Sequence, residues 1–501
     1  MLLSDLLRGA GIPDGDDCND IEIKDIVTNS KMCTCGCMYI CIKGNKYDGH
    51  EFLSEATENG AVCAVCLCDA ELGNVPENVR VIRVKDTRVS MALLYSSWYG
   101  NPQKDMKIIG VTGTNGKTTV SRMIYEILYS SGHKVGLIGT LGTVFCGSPI
   151  DIRSSDELSN MTTPDPEHLY KIFSVMRKEG AEYVVMEVSS HALALGKVAP
   201  VTFEIGVFTN MTPEHLDFHG DMENYFDAKA SMFEQCKKAI INCDNAYGRL
   251  LCKMYQNISI GCSCRGSDVA VEAEQIQLSQ MGVEYKLSHP KMRARIKCSI
   301  PGEFTVMNSL QATSCACELG VSATDIKNAL AYMSGVDGRL QRVKLPTEIN
   351  FSVFIDYAHT PDALENLLRT ARGFSKRKQR IVLLFGCGGD RDRYKRSQMG
   401  RIASSMADFV IITSDNSRSE NPSDIICEIL RGVDKESCFT VIESREAAIE
   451  YAIRNARAGD IILLAGKGHE KYEIDKNGKK YFCESELVKK YVDKYHLSGD
   501  I

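Results

Sequence analysis

The stretch 107–131, KIIGVTGTNGKTTVSRMIYEILYSS, joins an apolar strand-like run to a glycine-bracketed loop and then to a segment with an apolar stripe. Val120, Met123, Ile124, Ile127 and Leu128 recur at helical spacing, which predicts a buried helix opening directly from the loop. Gly113 and Gly116 permit a tight turn with inward-pointing N–H groups, the geometry of a phosphate cradle. Lys117 can reach an anionic oxygen, and Thr118 offers a hydroxyl to magnesium. The usual phosphate-loop pattern has a glycine five residues before Gly116; Val111 stands there, so the loop is a variant.

A chain of 501 residues is too long for one ordinary core and predicts two to four domains. With 44% hydrophobic and 25% charged residues the composition is globular. No apolar run is long enough to span a bilayer and the N-terminus, MLLSDLLRGAG, lacks a signal-peptide pattern, so a soluble cytoplasmic protein without membrane insertion is expected. A net charge of -6 provides no basic footprint for nucleic acid, and an anionic substrate has to be met by local groups. Most of the 21 cysteines sit in apolar strand or helix patterns, which reads as reduced core residues. One group, Cys33, Cys35, Cys37 and Cys41 with the Cys63/Cys66 pair, also has the makings of a zinc site, although its pairs lack the usual flanking geometry.

Along the chain, residues 1–104 alternate β-like runs (MYICIKG, AVCAVCLC, VRVIRV) with helical stretches at 51–59 and 90–99, a small α/β unit closed by a turn-rich linker. Residues 105–340 carry the loop and the strands KVGLIGT, YVVMEVSS and IGVFTNM, which predicts a mostly parallel sheet with ligands at its carboxyl ends. From 341 to 501 the pattern restarts with FSVFIDYAH, IVLLFGCGG, FVIITSDNS and DIILLAGKGHE, a second doubly wound α/β domain. Its loop Gly386-Cys387-Gly388-Gly389 does not fit the dinucleotide pattern, so hydride transfer is poorly supported. Glu187 closes one strand of the middle region; with His215, the lysine Lys229 and the Thr118 hydroxyl it forms a candidate magnesium set around transferring phosphate. The HLDFH segment holding His215 also reads as a hydrogen-bonded turn.

GVTGTNGKTT, TTPD at 162–165, MEVSSHAL, FTNMTPEHLDFHGDMENYFDAKASMF, PGEFTVMNSLQA, GVDGRLQRV, DYAHTPDALE, FGCGGDRDRYKR, TSDNSRSENP and GKGHE, in this order, resemble the Mur ligases over nearly the whole chain. The C-terminal set is similar to the branch that adds the third residue of the peptide. The resemblance implies three domains: a small α/β substrate domain, a central phosphate-loop parallel-sheet domain and a C-terminal Rossmann-like domain. It implies ATP-dependent amide synthesis with Mg2+, in which the γ-phosphoryl passes to a substrate carboxylate and an amino group attacks the resulting acyl phosphate. By the same resemblance Lys117, Glu187, His215 and Lys229 are catalytic, and Thr118, Glu187, His215 and Lys229 surround the metal. Lys229 matches the family's carbamylated lysine, and physics favours that chemistry, because an ammonium beside magnesium is repelled whereas a carbamate is a carboxylate-like ligand.

The nucleotide would be held by Gly113, Thr114, Asn115, Gly116, Lys117, Thr118 and Thr119, with Asn308, Arg339, Asp356 and His359. Ser30, Asn115, Thr162, Thr163, Ser189 and Lys197 would contact the UDP-linked substrate, although the family often has Asp-Ser-Arg where this chain has Asn29-Ser30-Lys31, and arginine in place of Lys197. Arg391, Asp415, Asn416, Arg418, Gly466 and Glu470 would read the incoming amino acid. Enzymes of this type that use meso-diaminopimelate carry Asp-Asn-Pro-Arg, and here the arginine is kept while Ser417 replaces proline. The expected acceptor is UDP-MurNAc-L-Ala-D-Glu, and the expected enzyme is a monomer acting on small molecules. L-lysine or another diamino acid is the alternative substrate, and a non-catalytic ATP-binding switch the alternative class.

Overall fold

The computed structural model describes residues 1–13, 21–44, 47–73, 75–150, 161–266, 269–333, 335–375 and 379–497. The chain divides into two compact units, one made mainly of Met1–Ser263 with Gln311–Val321, the other of Val271–Leu310 and Ser322–Ile501.

The first unit begins with a four-stranded parallel sheet, β1 Asp25–Val27, β2 Cys37–Ile40, β3 Ala61–Leu67 and β4 Arg80–Val84, in sequential order. Helix Thr87–Trp98 leaves it from an Asp86 cap whose carboxylate accepts from the Arg88 and Val89 N–H groups. The remaining strands of the unit are β5 Lys107–Thr112, β6 Val135–Gly139, β7 Gly142–Phe145, β8 Ser148–Pro149, β9 Tyr183–Glu187, β10 Phe203–Phe208, β11 Ala239–Asn242 and β12 Ser259–Ser263. They lie in the order β12-β11-β10-β5-β9-β6-β7-β8. β12 through β6 are parallel, and β7 and β8 fold back antiparallel. Near-continuous apolar runs suit strands covered on both faces: every residue of β9 and β11, and all but the first of β5, is buried. Because later strands flank β5 on both sides, the chain leaves it at a topological switch point, where a crevice opens beyond the strand ends. The loop after β5, Glu187 at the end of β9 and Thr209-Asn210 after β10 converge there.

In the second unit β13 Val271–Ser279, β14 Gly282–His289 and β15 Met292–Cys298 form an antiparallel meander. β16 Gln341–Arg342, β17 Ser352–Asp356, β18 Ile381–Phe385, β19 Phe409–Ile412, β20 Phe439–Val441 and β21 Ile461–Ala465 form a sheet ordered β16-β17-β21-β18-β19-β20. It is parallel except for β16. β22 Tyr472–Asp475 and β23 Gly478–Tyr481 make a separate hairpin. Residues 105–340 are therefore less uniformly parallel than the strand-loop-helix reading suggests, since β6–β8 and β13–β15 are joined by tight turns rather than crossover helices.

Candidate active site

Val111 owes its place in the variant loop to the strand itself. It is the penultimate residue of β5, fully buried, and pairs in register with Glu187 of β9, so a side chain that packs the sheet replaces the glycine of a longer loop. The turn then tightens at Gly113, whose φ is 144°; an added Cβ would lie 2.0 Å from Thr209 Oγ1 and within 3.0 Å of the Asn210 backbone. Gly113→Ala is accordingly expected to cost about 1–3 kcal/mol of stability in urea unfolding and to weaken binding of a non-hydrolysable ATP analogue in calorimetry. Asn210 clamps the loop tip by accepting from the Asn115 N–H (2.9 Å) and donating to the Asn115 carbonyl (3.0 Å). Thr209 donates to that same carbonyl. Lys117 Nζ arches back to the Gly113 and Thr114 carbonyls, 2.9 Å each, at the start of helix Lys117–Ser130, whose first N–H groups face any anion held in the loop.

Beneath the loop sit hard oxygen donors. Thr118 Oγ1 donates to Glu187 Oε2 at 3.0 Å, and both residues are buried. Thr140 orients the carboxylate, its N–H donating to Oε1 (2.9 Å) and its hydroxyl to Oε2 (3.1 Å). Three residues expected to contact the UDP-linked substrate gather at this strand end. Thr162 shares a hydrogen bond with Thr140, the Thr163 hydroxyl donates to the Glu187 carbonyl, and the Ser189 N–H donates to Thr163 Oγ1. Lys197 pairs with Asp165 at 2.7 Å. Ser30, on the other sheet of this unit, is buried and donates to Glu55. Neighbouring Lys31 is exposed, while its N–H is held by the Asn29 side chain.

Helix Met222–Ala230 carries Lys229, 1% exposed, with Nζ 4.4 Å from the centre of the Tyr225 ring one turn earlier. Burial, reinforced by the positive Lys117, pushes this amine well below the usual lysine range. The Tyr225 hydroxyl meets Thr114 Oγ1 at 3.1 Å, so one phenol joins the loop to the lysine. His215, with φ 57°, packs against His191 and Tyr225 with ring centres 4.8 and 6.4 Å away. Burial and the neighbouring imidazoles push His191 down to about 4, so it is neutral. The loop hydroxyl and the buried carboxylate are hard oxygen donors of the kind that suits Mg2+. Tyr225 and Thr140 belong to this site without having been marked in the sequence, whereas Asn210 stands, as its position at the close of a strand predicts, beside the phosphate loop. The i, i+4 spacing of Tyr225 and Lys229 was the available signal.

The second unit builds a cradle at the carboxyl ends of β18, β19 and β21. Asp415 is buried; desolvation alone would raise its carboxyl, but Lys467 (3.2 Å) and Arg445 reverse this and hold it below the usual range. Asn416 donates to Glu470 at 2.7 Å and accepts from Lys467 Nζ at 2.9 Å and the Ile474 N–H at 3.0 Å. Burial raises the Glu470 carboxyl. Gly466 is required by closeness, because a Cβ there would sit 2.8 Å from Asp415 Oδ2. Arg418 Nη1 donates to the Gly389 and Asn416 carbonyls (2.8 and 3.3 Å), which fixes one terminal nitrogen of its fork. Arg391 lies on the same loop as Gly388 and is exposed. Buried Arg396 closes that loop from behind, donating to Glu420, Glu428 and the Gly388 carbonyl. Lys467, fully buried, and Arg396 are further members that motif reading did not single out.

Elsewhere in this unit Asp356 accepts from the Leu340 and Ala358 N–H groups, while burial raises its carboxyl against the pull of Arg339. Arg339 stacks its guanidinium 5.1 Å from the Tyr357 ring centre, and His359 meets the Tyr357 carbonyl at 2.7 Å. Asn308 is buried in helix Glu303–Glu318.

The phosphate loop at the switch point of a parallel sheet is a nucleotide-binding arrangement, and the Rossmann-like sheet carries an acid-and-amide cradle of its own. Residues 111–316 match the family model described as Mur ligase middle domain, and 338–468 that described as Mur ligase, glutamate ligase domain. The chain is 40% identical over 482 residues to "UDP-N-acetylmuramoyl-L-alanyl-D-glutamate--2,6-diaminopimelate ligase 1" of Clostridium acetobutylicum, covering 95% of this chain and 96% of the relative. It is also 40% identical over 498 residues to the ligase of the same name, without the number, from Clostridioides difficile, covering 99% and 100%. A solved structure titled as a ligase of that name superposes with TM-score 0.71 at 28% identity, covering 99% and 100%. The chain belongs to the Mur ligase family.

Proposed function

We propose that this enzyme joins meso-diaminopimelate to UDP-MurNAc-L-Ala-D-Glu, consuming ATP and releasing ADP and phosphate. The observation that carries the reading is 40% identity, over 95–99% of the chain, to ligases named for that reaction. The loop N–H groups and Lys117 hold and neutralise the transferring phosphoryl group. Transfer to the D-glutamyl carboxylate makes an acyl phosphate, a far better electrophile, which the incoming amino group attacks with loss of phosphate. Thr118, Glu187, His215 and Lys229 would hold Mg2+, which when bound supplies positive charge to the phosphate oxygens. Asn308, Arg339, Asp356 and His359 would complete the nucleotide's surroundings, and Ser30, Asn115, Thr162, Thr163, Ser189 and Lys197 those of the UDP-linked substrate. The amino acid would enter the Asp415-Asn416-Glu470 cradle, with Arg391, Arg418 and Gly466 around it.

The reading brings with it three domains divided near residues 104 and 340, and a monomeric cytoplasmic enzyme with small-molecule partners. Among the described residues no helix is long and apolar enough to cross a membrane. The test is mass analysis of the product after incubation with ATP, Mg2+, the UDP-dipeptide and equal L-lysine and meso-diaminopimelate. A diaminopimelyl product is expected. A lysyl product would replace the substrate, and ATP binding without any amide product would overturn catalysis altogether.

A further inference from the structure

Strand register sorts the N-terminal cysteines in a way that their spacing does not. The parallel pairing of β2 with β3 matches Ile40 to Val65, and the ladder continues through the Cys41 N–H to the Val65 carbonyl. Cys41 and Cys66 therefore stand side by side, both fully buried, with sulfurs 3.5 Å apart. His50 is brought to them by a turn pinned against the strand. The Gly49 N–H donates to the Ile42 carbonyl, the Tyr39 hydroxyl donates to the Gly49 carbonyl, and a Cβ on Gly49 would collide with the Ile42 backbone. One donor atom each from Cys41, His50 and Cys66 lies within 4.8 Å of the other two.

The imidazole is not an ordinary core side chain. Its Nδ1 lies 2.6 Å from Asp48 Oδ1, which also accepts from the His50 N–H, while its Nε2 accepts from the Leu67 N–H at 3.1 Å. The proton is thus on Nδ1, and the Nε2 lone pair points toward the strand that carries Cys66. A carboxylate that fixes the far nitrogen of a histidine is the usual support of a metal-ligating imidazole. We propose that Cys41 Sγ, Cys66 Sγ and His50 Nε2 bind a zinc ion, with Asp48 as the positioning residue.

Tetrahedral zinc with bonds of about 2.3 Å to sulfur and 2.0 Å to nitrogen needs sulfurs about 3.8 Å apart and sulfur–nitrogen distances of about 3.6 Å. The observed 3.5 Å between sulfurs asks for a small opening, and the imidazole gives up its Leu67 contact for the metal. Two thiolates and a neutral imidazole cancel the ion's charge, which makes so buried a site tolerable. A cavity of about 490 Å3, lined by Asp48, His50, Leu67, Asp69 and Glu71, adjoins His50 and can supply water as the fourth ligand.

The full chain, stripped of metal under reducing conditions and titrated with Co2+, reads this directly and independently of ligation. Expected are one equivalent bound, thiolate-to-cobalt charge-transfer absorption in the near ultraviolet and tetrahedral d–d bands, all displaced by zinc. Cys41→Ser with Cys66→Ser should abolish the charge-transfer band, Cys243→Ser should leave it intact, and Asp48→Asn should weaken affinity about 10–100-fold. Absence of the band in the unaltered protein, or a band that survives loss of Cys41 and Cys66, overturns the proposal. Circular dichroism checks the fold of each variant, and if the double variant is unfolded the Cys243→Ser and Asp48→Asn results decide.

Discussion

Lys229→Ala is expected to lower ATP-dependent amide formation by about 10²–10³-fold, the scale associated with removing one preorganised charge from a phosphoryl-transfer site. Millimolar acetate or formate should restore a measurable part of that activity, whereas chloride should not. The lysine is 1% exposed, and desolvation and the charge of Lys117 hold its amine well below the usual lysine range. A neutral amine adds to CO2 and releases one proton, leaving a carbamate that carries one negative charge. Such an anion at Lys229 would meet the positive Lys117 favourably, reversing the repulsion the ammonium would suffer. If Lys229 only filled space against Tyr225, a methionine at 229 would serve as well and carboxylates would do nothing. Full activity in Lys229→Ala, or a loss that no carboxylate relieves, removes the lysine from the chemistry.

The second large effect is expected at Arg418. Arg418→Ala should reduce kcat/KM for meso-diaminopimelate by about 10²-fold or more, as loss of a two-pronged charged contact would. L-lysine, lacking the second carboxylate, should lose much less. Arg418→Lys keeps the charge without the fork and should fall between. Backbone carbonyls of Gly389 and Asn416 hold Nη1, so the guanidinium is aimed before substrate arrives. Equal losses for both amino acids would mean that Arg418 only supports its loop.

The strand-loop-helix of 107–131 was legible because glycine and lysine placement, apolar periodicity and strand ends all depend on local chemistry. The same holds for Glu187, which the sequence alone places at the end of a strand. What could not be read was the long-range support. Asn210 clamps Asn115 across 95 residues, and Thr140 orients a carboxylate 47 residues away. The cysteines make the same point. Proximity in sequence groups Cys33, Cys35 and Cys37 with Cys41, yet Cys35 is exposed, and strand register with a distant turn selects Cys41, Cys66 and His50 instead. Periodicity also left the hairpins of β6–β8 and β13–β15 unmarked: β7 and β8 have only 4 and 2 residues, and much of β13 and β15 is exposed, so neither shows a strong apolar pattern.

Ser417 replaces a ring that would have limited the loop's freedom before folding, and Arg396 supplies order of another kind, acquired only once the native contacts form. Its partner Glu420 is held down to about 2, by Arg396 first and the Asp390 N–H as well. That contribution is present above the unfolded value near 4.5 and fades only as pH falls through about 2. The order of this loop therefore rests on a guanidinium shared by two carboxylates, so that removing Arg396 would leave Glu420 and Glu428 facing each other without it.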